Sequence, residues 1–150
     1  MTDAARLPPR LAELLDALDA FPDPTDRGSV LVDYANRFQE VPPSIASRPF
    51  ADAHKVPACE SEAYVWAVDQ PDGTLKLYFA VESPTGVSAR ALAAILDRTL
   101  SGLTPAEIAE VPPDIVERIF RRNISMGKGM GLMSMVRAVQ TLARRRLQTE

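Results

Sequence analysis

The chain has 150 residues, 46% of them hydrophobic and 25% charged, with a formal net charge of −3. That size and balance suit one core, so a single domain over residues 1–150 is expected; the charge argues against a basic nucleic-acid face, and no apolar run approaches the ~20 residues of a membrane span. One cysteine excludes an internal disulfide framework, and with no apolar stretch of a signal peptide in MTDAARLPPR it points to a reducing cytoplasm.

Leu11, Leu14, Leu15 and Leu18 recur at helical spacing, which predicts an amphipathic helix over about Pro9 to Ala20. Phe21-Pro22-Asp23-Pro24 ends it. Thr25 or Asp26 is then a suitable cap for a second helix, with Leu31, Tyr34, Ala35 and Phe38 turned inward. Val41-Pro42-Pro43 stops that helix. Ser44 to Ala53 reads as a loop with room for one helical turn, anchored by Ile45 and Phe50.

The next stretch predicts a small antiparallel sheet. Val56, held extended by the proline after it, belongs to a short first strand. Ala63 to Val68 is rich in β-branched and aromatic residues and predicts a second strand, with Tyr64, Trp66 and Val68 on one face. Pro71-Asp72-Gly73 has turn chemistry. Thr74 to Val81 returns as a third strand whose Leu75, Leu77, Phe79 and Val81 alternate, which suits a sheet with one face on the core. A fourth small strand has no definite position.

From Ser88 the period becomes helical again, with Leu92, Ile95, Leu96 and Leu100 on one face. Thr104-Pro105-Ala106-Glu107 has the residues of a capping box with proline at the first helical position. Pro112-Pro113-Asp114 restarts the chain into a helix carrying Ile115, Val116, Ile119 and Phe120, which Asn123 closes. Ser125 to Gly131 reads as a glycine-rich loop. Beyond it Leu132, Met135, Val136, Val139, Leu142 and Ala143 define a long C-terminal helix ending in Arg144-Arg145-Arg146, a solvated basic end that complements the helix dipole. The fold class is therefore α+β, about three antiparallel strands flanked by helices.

Cys59 lies in a polar elbow between the first two predicted strands, within HKVPACESEAYVWAV. A lone cysteine is ordinarily a small buried hydrophobe. This one is followed by Glu60-Ser61-Glu62, not by an apolar run, and loops on a rigid scaffold are where reactive groups sit. His54, the single histidine, is close in sequence. A Cys-His pair needs hydrogen-bond reach and a third group to orient the base, and a surface histidine at a strand start is the commoner case. One cysteine and one histidine cannot form a four-ligand structural zinc site, so no metal is expected.

The segment V-P-A-C-E-S-E followed by an aromatic strand resembles the sulfur-acceptor loop of the SufE family, commonly V-x-G-C-x-S-Q-V-W. The resemblance runs in order from Ala35-Asn36-Arg37-Phe38, through Leu-Thr-Pro-Ala-Glu-Ile, to Gly131-Leu132-Met133-Ser134-Met135-Val136-Arg137-Ala138-Val139. It implies a SufE/IscU-like fold and a cysteine that accepts persulfide sulfur from a cysteine desulfurase and delivers it to an Fe–S assembly scaffold. The implied partners are those two proteins. Pyridoxal phosphate would belong to the desulfurase, and no cofactor is expected here.

The sequence departs from the family pattern at three places in and just after the cysteine motif, and once more in the glycine-rich segment. Ala58 stands where glycine is common, Glu60 and Glu62 add negative charge beside Cys59, and Ala63-Tyr64 displaces the V-W pair along the strand. Family members often carry an arginine in the glycine-rich segment facing the cysteine, and the matching position is Lys128. A lysine keeps the charge that stabilises a thiolate or persulfide but lacks the planar donor fork. The segment does not have the G-x-x-x-x-G-K-[ST] pattern of a phosphate loop and follows a helix, so phosphate binding is not expected. Among the clustered methionines, Met133 or Met135 is expected inside, and Met126 and Met130 partly exposed. Two other readings stay open: a non-catalytic module that binds a desulfurase, and a thiol redox protein using Cys59.

Overall fold

The computed structural model describes residues 7–148. In chain order these form α1 (Pro9–Asp19), α2 (Pro24–Asn36), β1 (Ala63–Asp69), β2 (Leu75–Val81), α3 (Val87–Leu100), α4 (Pro105–Ala109), α5 (Ile115–Phe120) and α6 (Met126–Gln148). The α+β architecture is as expected, with one strand fewer. Val56 donates to the Ala63 carbonyl and Lys55 forms an isolated bridge with Tyr64, but the pairing goes no further. Pro57 has no N–H to extend the ladder, and the chain turns at once into the Cys59 elbow.

Local chemistry explains most boundaries. α1 and α2 both begin with proline at the first helical position. That choice moves the cap of α2 to Asp23, whose Oδ1 accepts from Thr25 N at 2.8 Å and Asp26 N at 3.2 Å, so neither Thr25 nor Asp26 is the cap. The capping box of Thr104 and Glu107 forms as the sequence predicts. The glycine-rich segment is not a loop. Ser125 Oγ accepts from Lys128 N and its carbonyl from Gly129 N, so the glycines fall in the first two turns of α6. Each costs about 1 kcal/mol of helix propensity relative to alanine, a cost that the buried face formed by Leu132, Met135, Val136 and Val139 offsets.

The register pairs Ala63 with Val81, Val65 with Phe79, Ala67 with Leu77 and Asp69 with Leu75. These side chains share the inner face, where Val65, Leu75, Leu77, Phe79 and Val81 join the main core with the apolar faces of α1 and α3 to α6. The opposite face is covered too. Phe50 meets Trp66 edge-on at 5.1 Å and Tyr64 at 5.2 Å between ring centroids, over Val41 and Ala80. The loop before β1 thus folds over the outer face, held by Arg48, which pairs with Glu40 and Glu82. Phe50 anchors it as expected. Ile45 does not and is 37% exposed.

A two-stranded sheet has no inner strand, so both edges need cover. Gln70 N bonds to Thr74 O and Glu82 N to Glu62 O, which makes the even-numbered residues the mutually bonded pairs and turns the odd ones outward. Along β1 the outward carbonyl of Val65 accepts from His54 and that of Ala67 from Arg146. Along β2 the Leu75 N–H meets the Leu103 carbonyl, the Leu77 N–H meets Ser101 Oγ, and the Phe79 carbonyl accepts from Val41 N. Arg146 is therefore a structural contact, and only Arg144 and Arg145 match the solvated end expected of the three arginines.

One buried charge was not foreseen. Arg27 on α2 is 1% exposed. It donates to the carbonyls of Leu18, Phe21, Arg118 and Ile119, and so satisfies backbone acceptors near the end of α1 and within α5. Burial, and then the nearby Arg121, push its pKa down. Four directed acceptors keep the guanidinium charged and bonded where an unpaired charge would be prohibitive. Arg27→Met keeps the stem and removes every donor. It is expected to cost roughly 2–4 kcal/mol, because several buried carbonyls lose their partner together; the denaturant midpoint at unchanged slope measures this.

Candidate functional site

The elbow Pro57–Glu62 has little apolar content of its own, so its shape comes from backbone contacts. Val56 N bonds to Ala63 O and Glu62 N closes a turn onto Cys59 O at 3.1 Å. From the other side, Ser83 N donates to Ser61 O and Glu82 N to Glu62 O, both at 3.1 Å. Arg90 of α3 holds the Ser83 carbonyl at 2.7 Å and so braces the segment that braces the elbow.

Two glycines let other elements approach. A Cβ at Gly131 of α6 would lie 3.1 Å from the Ala58 carbonyl oxygen and 3.5 Å from Cys59 Cα. A Cβ at Gly86, just before α3, would lie 2.8 Å from Val81 Cγ1 and 3.2 Å from Ser61 Cβ. Ser61 is accordingly buried, at 7% exposure. The elbow is clamped between the start of α3 and the second turn of α6. Neither glycine stood out from the sequence as a packing position. The signal available was Gly131 at the edge of an otherwise apolar helical face, which marks a close approach.

Cys59 itself is half-buried and packs against the main core, with its thiol free. It is neither an enclosed core residue nor a fully solvated one. The residue before it, Ala58, has φ +57°, and Glu62 has φ +51°. The left-handed region costs a residue with a Cβ about 1–2 kcal/mol. Glycine at Ala58's position would adopt it freely.

Lys128 lies in the first turn of α6, half-buried, with its backbone N–H on Ser125 Oγ. It precedes Gly131 by three residues and so belongs to the helix face that meets the elbow. His54 is engaged elsewhere. Its Nδ1 lies 3.2 Å from the Val65 carbonyl, which can only accept, so Nδ1 carries the proton; its ring stacks on Trp66 at 5.2 Å. It is half-buried cover for the sheet edge, not the surface histidine expected, and among the described residues no hydrogen bond joins it to Cys59. Met135 is fully buried and Met133 packs on the core, while Met126 and Met130, in the first turns of α6, are 86% and 60% exposed. No group of three or more His, Cys, Asp or Glu side chains among the described residues could hold a metal ion. No helix among them is long and apolar enough to cross a membrane.

The chain as a whole has relatives in sequence and in fold. A family model, SufE, described as an Fe-S metabolism associated domain, matches residues 12–143. An uncharacterized SufE-like protein of Synechocystis is 31% identical over 140 residues, spanning 93% of this chain and 83% of that protein. The solution structure of a hypothetical protein from Thermus thermophilus superposes with a TM-score of 0.71 at 26% identity, covering 95% of this chain and 98% of that one.

The strain at Ala58 can be tested directly. Ala58→Gly is expected to raise stability by about 1 kcal/mol, the left-handed penalty less the entropy that glycine adds to the unfolded chain. A rise in the urea midpoint at constant slope is the readout; an unchanged or lower midpoint would show that the elbow holds alanine without strain.

Proposed function

Because this chain belongs to the SufE family, whose domain is associated with Fe-S metabolism, we propose that it is a sulfur acceptor working through Cys59. The observation that carries this reading is a half-buried free thiol on an elbow that backbone contacts hold rigid, with one side open. Such a thiol can meet a partner's reactive group while the core and α6 limit its contact with solvent thiols.

The step is thiol–persulfide exchange. The Cys59 thiol gives up its proton, and the thiolate attacks the terminal sulfur of a persulfide on a cysteine desulfurase. A new S–S bond forms at Cys59 as the old one breaks. The partner's cysteine leaves as a thiolate and takes up a proton. Cys59 then carries the terminal sulfur as a persulfide, and the same exchange passes it to an Fe–S assembly scaffold. Attack and departure follow the nucleophile and leaving-group rules of disulfide exchange. Pyridoxal phosphate belongs to the partner, the protein needs no cofactor for this step, and the cytoplasm is the compartment that fits its chemistry.

Lys128 supplies positive charge from the helix face that touches the elbow, opposing Glu60 and Glu62. Its cation favours the attacking thiolate and the persulfide product. Exposed Met126 and Met130 provide an adaptable apolar surface on the first turns of α6 against which a partner can pack.

Cys59→Ser changes one atom, so fold and partner affinity are expected to hold within about twofold. Incubation with a cysteine desulfurase and cysteine should add about 32 Da per sulfur to wild type and nothing to the variant. If the variant stimulates sulfide release as well as wild type does, the protein is a scaffold and not an acceptor; peroxide-driven gains of about 16 Da without sulfur gain would make it a redox thiol.

Lys128→Ala is expected to slow alkylation of Cys59 near neutral pH, and sulfur transfer with it, by roughly 3- to 10-fold, with Lys128→Arg close to wild type. The pH profile of alkylation, with and without the desulfurase, is the measurement. Identical profiles for wild type and Lys128→Ala in both states would leave Lys128 a solvated lysine.

A further inference from the structure

A groove of about 330 Å³ runs beside the elbow, between the segment before β1 and the outer side of α6. Pro57, Val65, Ala138 and Leu142 give it an apolar lining, and Ser134 and Thr141 contribute hydroxyls. Its charged residues all have one sign. Lys55 lies on the strand-side wall and Arg137 and Arg145 on the helix wall, and no acidic residue is among the eleven that line it. That is unusual for a chain of net charge −3. Among the described residues, Lys55, Arg137 and Arg145 make no ion pair, and all three are exposed.

The spacing decides what these cations can hold. Arg137 and Arg145 are eight residues apart on one helix, about 12 Å along its axis. A compact anion such as phosphate engages both only where the two long side chains fold toward each other. Carboxylates spread along an extended chain meet each in place, since ~12 Å corresponds to about three to four residues at 3.3–3.6 Å each. The groove also adjoins the elbow that carries the thiol, through Pro57. Pro57 leads into Ala58 and Cys59, and Gly131, which touches both, begins the helix stripe that passes Ser134 and Arg137 toward Arg145. From Gly131 to Arg145 the helix advances about 21 Å.

We propose that this groove receives an extended acidic segment of the cysteine desulfurase, docked so that the persulfide-bearing part of the partner reaches Cys59; the proposal rests on the sulfur-acceptor reading above. The apolar floor supplies burial. The cations set direction and register, because charges at a rim act chiefly on encounter rate and orientation. They also separate recognition from chemistry: the groove holds the partner, and the elbow carries the sulfur.

The test compares wild type, Arg137→Glu/Arg145→Glu, Arg137→Lys/Arg145→Lys, and Arg98→Glu/Arg122→Glu as a charge-matched control away from the groove. Each is titrated with a cysteine desulfurase at two salt concentrations, and the sulfur gained at Cys59 is read by mass. The groove reversal is expected to weaken binding about tenfold or more and to flatten its salt dependence. Sulfur transfer should recover at saturating desulfurase, and Cys59 should alkylate with a small reagent at the wild-type rate. The lysine pair and the control should bind like wild type. Equal weakening by the control would show a general charge effect, and unchanged binding of the groove reversal would show an unused groove; either overturns the proposal and leaves the acceptor reading standing. A change in self-association without a change in desulfurase binding would make the groove a contact between copies, which also overturns it. If wild type binds the desulfurase but gains no sulfur, the acceptor reading fails while the docking result stands on its own. If wild type does not bind at all, both fail.

Discussion

The carbonyl oxygen of Ala58 would lie only 3.1 Å from a Cβ on Gly131, and that close approach organises the surroundings of the thiol. The Cys59 elbow has too little apolar surface to define its own shape. It takes its shape from α6 pressing on one side, the start of α3 on the other, and hydrogen bonds to the residues just after β2. Helix and elbow meet backbone to backbone, so the contact leaves little room for adjustment. A thiol on a short polar segment is thereby held nearly as firmly as one on a regular element.

The sheet behind the elbow is small for such a task. Two strands are marginal alone and need a hydrophobic face or packing against helices. Here both faces are covered, one by the main core and the other by Phe50, Tyr64 and Trp66. Side chains finish the exposed edges, with His54 and Arg146 on β1 and Ser101 on β2. The lone histidine and the last arginine of the basic run, both of which invite functional readings, are used to satisfy backbone carbonyls. Arg27 does the same between helices, where four carbonyls from α5 and the end of α1 converge on one guanidinium.

Charge is distributed unevenly over this frame. The whole chain is acidic, and Glu60 and Glu62 put negative charge beside the thiol. Lys128 and two of the three groove cations, Arg137 and Arg145, lie on α6, on either side of Gly131 in sequence. One helix thus bears the contact that shapes the elbow, the cation nearest to it in sequence, and the cationic wall of the neighbouring groove. Its exposed methionines add apolar surface without a fixed shape, which suits a face that meets another protein.

The α+β class, the helix periods, the inward face of β2, the capping box at Thr104 and the singular position of Cys59 are all legible in the order of the amino acids. Each is a local property: periodicity, capping chemistry and proline placement are written within a few residues. The family resemblance was legible for the same reason, since its motifs are contiguous. Relations between distant segments are not legible in this way and arise only when the chain is folded. Ser125 to Gly131 looks like a loop because glycine disfavours helix, yet packing of the downstream face and the Ser125 cap make it helical, and that brings Lys128 onto the face that meets the elbow. Val56 looks like a strand but finds one partner and then a proline. Arg27 looks like a surface charge on a polar helix until four carbonyls, two of them more than 90 residues away, converge on it. The left-handed backbone of Ala58 and the groove along α6 have no local signature, because each exists only once α6 lies against the elbow.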